Sequence, residues 1–204
     1  MEKMTDLTIR PAYSKWPDYN RALRDVVASM TEEHLAIQPS PERWPLWATV
    51  GHLACQRVFW LCDFAGEPGA DTTPFTNAGN HCPGDDDLEH VLSAVALAEA
   101  LDSTFRIVER CLDRWTLDML DEEIRRPDYG PDWVHTRGSV IQRVFAHDIY
   151  HSAELNESLG KAGMPLIDSA AGAVLETPVD GRSSGSVPAA WSVAPKNTSA
   201  SSTG

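Results

Sequence analysis

Apolar residues return at helical spacing in four stretches of this chain, and no stretch alternates long enough to read as a strand. The first is Trp16, Tyr19, Leu23, Val26, Val27 and Met30, one face of an amphipathic helix. Thr31-Glu32-Glu33 then supplies a cap and first-turn acids for a short helix ending at Gln38-Pro39. Pro45 is suited to the first position of the second long helix, where its missing N–H does no harm. Leu46 to Ala65 is apolar almost all round, so a central, buried helix is expected there. Asp85-Asp86-Asp87 are expected to open the third. Its inward face would carry Val91, Ala94, Val95, Ala98, Leu101, Phe105, Val108, Leu112 and Trp115. The fourth runs from Ser139 to Gly160, with Gly160, followed by Lys161 and then Gly163, as its stop. Four such helices around one core predict an all-α, up-and-down four-helix bundle.

Between these stretches, 66 to 86 is turn-rich and long enough to lie over a site. Trp133, His135 and Arg137 precede the last helix and would either line a pocket mouth or plug the bundle end. Residues 1 to 15 are read as a loose lead-in, 16 to 165 as the bundle, and 166 to 204 as a Ser/Gly/Pro/Ala-rich tail. From about Thr177 that composition predicts disorder, with Trp191 stranded in it.

The chain has 204 residues, 42% of them hydrophobic, and a net charge of -13. Such acidity repels phosphate backbones and anionic lipid, which argues against nucleic acid and membrane surfaces as partners. The N-terminal residues lack the apolar stretch of a secretion signal, and no run is long enough to span a bilayer. A cytoplasmic protein is expected. Its cysteines, Cys55, Cys62, Cys82 and Cys111, form no C-x-x-C, and no disulfide framework is expected. Cys55 and Cys62 are expected to share a buried face. His81-Cys82 is set aside as a metal pair, since adjacent side chains diverge and nothing nearby in sequence completes a set.

On the fourth helix, Val140, Val144, His147, His151, Glu154 and Ser158 fall on one face. His147 and His151 lie one turn apart and present two imidazoles to one point, the geometry a metal ion needs. The spacing alone suits a pair of hydrogen-bonded helix histidines equally well. His52, mid-way along the buried second helix, reads by itself as a core histidine. It is also the third inward imidazole that the pair lacks.

W-P-L-W-A-T-V-G-H-L, with Trp44 eight residues before His52, resembles the opening of the second helix in the DinB/YfiT-like superfamily. H-D-I-Y-H-S-A-E-L-N resembles that superfamily's last-helix motif. The resemblance spans about 16 to 165. It implies a bundle with a divalent metal ion (nickel, zinc or iron) held by His52, His147 and His151, and packing as a homodimer. It further implies a metal-dependent transferase or isomerase that uses a low-molecular-weight thiol as cosubstrate and an electrophilic partner. Two departures stand out. Ser152-Ala153-Glu154 replaces the family's Arg-Gly-Gln, and Pro45 stands where a capping serine is usual. Glu154 would be an acceptor that orients an imidazole, a fourth ligand, or a proton acceptor.

Three neutral imidazoles leave a coordination position open, the mark of a catalytic rather than a structural site. A thiol bound there would lose its proton and become the nucleophile. Two rivals stay open: a hydrolase with a metal-activated water and Glu154 as base, and a non-catalytic binding or stress-response module stiffened by its metal.

Overall fold

In a computed structural model of the chain, residues 7–79 and 81–168 and the backbone of 173–175 are described. Helix α1 spans Trp16–Ala28 and buries Trp16, Asn20, Leu23, Val26 and Val27. The short α2, Glu32–Leu35, is closed by a capping box in which the Thr31 hydroxyl accepts from the His34 amide and His34 Nδ1 accepts from the Thr31 amide. Helix α3, Leu46–Val58, begins just after Pro45 and buries every residue except Gln56. It runs on without a break into a π-helical turn, Phe59–Phe64. Helix α4 spans Ala94–Arg114 and α5 spans Arg137–Lys161. Thr136 and Ser139 cap each other at the start of α5.

The stop of α5 lies beyond Gly160. Gly163, at φ 69°, takes the left-handed position, and Met164 N–H returns to the Leu159 carbonyl at 2.9 Å. Helix α1 packs on α4, α4 on α3, and α3 on α5. The core is continuous through Leu23, Val50, Leu53, Leu101, Val108, Val140 and Leu155. The expected four long helices and their bundle are present.

Three further expectations fail. Asp85-Asp86-Asp87 do not open a helix, because α4 begins at Ala94 with the Ser93 hydroxyl accepting from the Ala96 amide. Two of the acids cap turns instead: Asp86 accepts from the Cys82 amide, and Asp87 from the amides of Glu89 and His90. Val91 and Val95 are consequently 67% and 66% exposed rather than core. The lead-in is not loose throughout, since Ile9 is buried and its amide donates to the Trp115 carbonyl at 3.0 Å.

The third failure is the expectation of no strands. β1 (Glu123–Arg125) pairs antiparallel with β2 (Val134–Thr136), and β3 (Leu166–Asp168) with β4 (Ala173–Leu175). Three-residue strands are too short to show an alternation. The second pair falls inside the region set aside as tail; the expected disorder from Thr177, including Trp191, lies outside the described residues. The β1–β2 pair brings Trp133 against Trp60, centroids 6.0 Å apart, with Phe64 and Tyr129 beside it. Trp133 therefore plugs the bundle end.

Candidate metal centre

Helices α3 and α5 face each other in the middle of the bundle and bring His52, His147 and His151 together. His147 Nε2 lies 3.1 Å from His52 Nε2 and 3.1 Å from His151 Nε2. All three ligand atoms fall within 4.8 Å of one another. Ligands on a tetrahedral ion at about 2.0–2.1 Å stand roughly 3.3 Å apart, so one ion could touch all three.

The surroundings of the rings fix which nitrogens carry protons. His151 Nδ1 donates to Glu154 Oε2 at 2.8 Å. His52 Nδ1 lies 3.3 Å from Asp85 Oδ2 and 3.8 Å from Cys82 Sγ. An ionised carboxylate only accepts, so His151 carries its proton on Nδ1 and turns a bare Nε2 lone pair toward His147; Asp85 and Cys82 on the Nδ1 side of His52 favour the same arrangement there. His147 can satisfy at most one of those lone pairs with a proton of its own. Burial, followed by the repulsion of His151 and His52, pushes the His147 pKa down to about 3. The same burial and His52 lower that of His151, against the pull of Glu154. Three imidazoles, those of His147 and His151 favoured in the neutral form by burial, thus converge on one point, which suits a divalent cation.

Glu154 is fully engaged: Oε2 accepts from His151, and Oε1 meets Arg43 Nη1 at 2.6 Å. Trp44 packs on His52 with ring centroids 4.8 Å apart, which accounts for a tryptophan eight residues upstream. A pocket of about 470 Å³ opens beside His151 and is lined by Arg43, Trp44, Thr49, Tyr150 and Glu154 among others.

Sequence reasoning missed two parts. The first is a buried ion pair directly behind the site. Arg57 on α3 meets Asp148 on α5, Nη2 to Oδ2, at 2.7 Å. Trp16 Nε1 donates to the same oxygen at 2.8 Å, and Arg57 Nη1 donates to Asn20 Oδ1 at 2.8 Å. The available signal was Arg57 itself, the one charged residue between Leu46 and Asp63. The second is Cys82, which was set aside for want of partners. The fold supplies them from far away in sequence: His52, Gln56 and Cys55 surround its sulfur. Hydrogen bonding from Cys55, and then from His52, pulls the Cys82 thiol down to about 6 against the effect of burial. All four cysteines are free.

Fold and site together define a four-helix bundle with a buried three-imidazole cluster able to hold a metal ion. The model of the DinB superfamily matches residues 20–155, and the chain belongs to that superfamily. Among solved structures, a DinB-like protein from Bacillus cereus ATCC 10987 is 15% identical at a TM-score of 0.58, covering 86% of this chain and 99% of that one. A DinB-like protein, YjoA, from Bacillus subtilis is 17% identical at 0.51, covering 74% and 90%. These likenesses establish the fold. No functionally curated protein matches the chain. No helix among the described residues is long and apolar enough to cross a membrane.

Proposed function

We propose that this DinB-superfamily protein holds a divalent ion on His52, His147 and His151 and is a transferase or isomerase that uses a low-molecular-weight thiol. The observation that carries the metal is the meeting of three Nε2 atoms, with the far nitrogens of both outer rings turned to acceptors. The thiol chemistry rests on the resemblance of the two histidine motifs, together with a pocket that reaches the cluster.

The bound ion would supply a Lewis acid that lowers the pKa of a coordinated thiol. The chain's own residues do the rest. Glu154 orients His151 through its Nδ1, and Arg43 holds the other oxygen of that carboxylate. This is an orienting role, and it leaves Glu154 poorly placed as fourth ligand or proton acceptor. Trp44 covers His52 and forms one wall of the pocket, and Tyr150 forms another. None of the protein's cysteines takes part, since Cys82 faces the far side of the His52 ring.

The test is turnover by metal-loaded protein of an electrophile with and without a small thiol. Consumption that needs both supports the proposal. Consumption without thiol points to hydrolysis. A metal that raises the melting temperature with no turnover in either mixture points to a binding module.

A further inference from the structure

We infer that Cys82 and Asp85 are positioning residues for His52: they hold the Nδ1 side of its ring, so that Nε2 is presented to the cation. The inference rests on the metal reading above. It concerns the end of the turn-rich loop, whose acids the sequence suggests open the next helix.

The turn is built tightly. The Cys82 amide donates to Asp86 Oδ2 at 2.9 Å, the Asp86 amide returns to the Cys82 carbonyl at 2.9 Å, and the Gly84 amide donates to the Asp87 carbonyl at 2.9 Å. Gly84 takes φ 87°, and a Cβ there would come within 2.8 Å of the Trp44 ring. On the other side, a Cβ on Gly51 would come within 2.9 Å of Pro83. Two glycines therefore let the turn seat itself between Trp44 and α3, with Cys82 and Pro83 fully enclosed.

That seating sets Cys82 Sγ 3.8 Å and Asp85 Oδ2 3.3 Å from His52 Nδ1. The opposite nitrogen of the same ring is the one 3.1 Å from His147. His151 is gripped in the same way, by Glu154 from within α5. Both outer imidazoles are thus held from their far nitrogens, one by its own helix and one by a distant turn. Outer partners of this kind fix ring tautomer and orientation, and their loss costs about 10–100-fold in metal affinity. Coupling is reciprocal, so an ion on Nε2 must also tighten the turn on Nδ1.

The test is zinc affinity of the metal-free protein, measured by competition with a chromophoric chelator, for wild type, Asp85→Ala, Asp85→Asn and the Cys82→Ala/Asp85→Ala double variant. Melting temperature without metal and amide exchange over 82–87 are followed alongside. The expected result is a loss of about 10-fold or more in the double variant. Asp85→Asn, which keeps an acceptor oxygen, loses less than Asp85→Ala. Zinc slows exchange over 82–87 in wild type and not in the double variant, while the metal-free melting temperature of Asp85→Ala stays near that of wild type. Zinc affinity unchanged in the double variant overturns the inference and leaves the three-histidine reading intact. Two zinc ions per chain, the second lost with Cys82, overturns it as well, since the turn would then be a ligand set. A wild type that takes no zinc overturns the metal reading itself.

Discussion

Arg57 and Asp148 meet inside the bundle with their side chains 1% and 7% exposed, and Asp148 is the residue next to His147. The pair clamps α3 to α5 one step from the point where the same two helices bring His52 and His147 together. Arg57 also donates to the Leu101 carbonyl and Asn20, and its guanidinium lies 5.2 Å from the Phe105 ring centroid. The polar network spans all four long helices, and every charge in it is answered.

Removing one side of that pair leaves the other charge buried and unanswered. Arg57→Met is expected to destabilise the fold by about 3–5 kcal/mol in urea unfolding. Replacing both partners by apolar residues of similar volume is expected to recover much of that loss. A single variant within about 0.5 kcal/mol of wild type would show that the pair is not buried in solution.

The cluster makes the metal-free protein acid-sensitive. His147 and His151 have folded-state pKa values below the ordinary 6.5, with His147 near 3. The unfolded chain therefore binds more protons than the folded one once the pH drops below about 6.5. Stability is full above that value and falls as the pH goes from about 6.5 toward 3. Urea midpoints measured across this range are expected to show the decline, and His147→Gln is expected to flatten it.

Exposure on α4 separates two residues that the apolar pattern treats alike. Val95 is 66% exposed and Leu101 is fully buried. Val95→Ser is expected to change stability by less than about 0.5 kcal/mol. Leu101→Ala is expected to cost about 2–5 kcal/mol. Thermal or urea unfolding of the two variants checks the register of α4.

Gly84 carries a conformation that other residues rarely adopt, in contact with the Trp44 ring. Gly84→Ala is expected to destabilise by about 1–3 kcal/mol and to raise tryptophan exposure in fluorescence quenching. An unchanged melting temperature would mean that the turn does not pack on Trp44.

The helices were legible because α1, α4 and α5 each keep one apolar face over several turns, while α3 is apolar almost all round. His147 and His151 were legible as a pair because one helical turn separates them. Their convergence with His52 was not a matter of local spacing: it depends on α3 packing against α5, and the resemblance of the two motifs stood in for that geometry. The turn-rich character of 66 to 86 was legible, but Asp85-Asp86-Asp87 were misread because three acids in a row favour a helix start as much as a series of side-chain-capped turns. Ser93, one residue before Ala94, held the true cap. The partners of Cys82 lie 26 to 30 positions away in sequence, beyond any local pattern.

The central claim is that three imidazoles share one cation. Elemental analysis of protein purified without added metal or affinity tag, on wild type and on His52→Ala, His147→Ala and His151→Ala, tests it most directly. About one divalent ion per wild-type chain, lost in each variant while the helical circular dichroism is kept, is the expected result. A metal content that none of the three substitutions lowers would contradict the account.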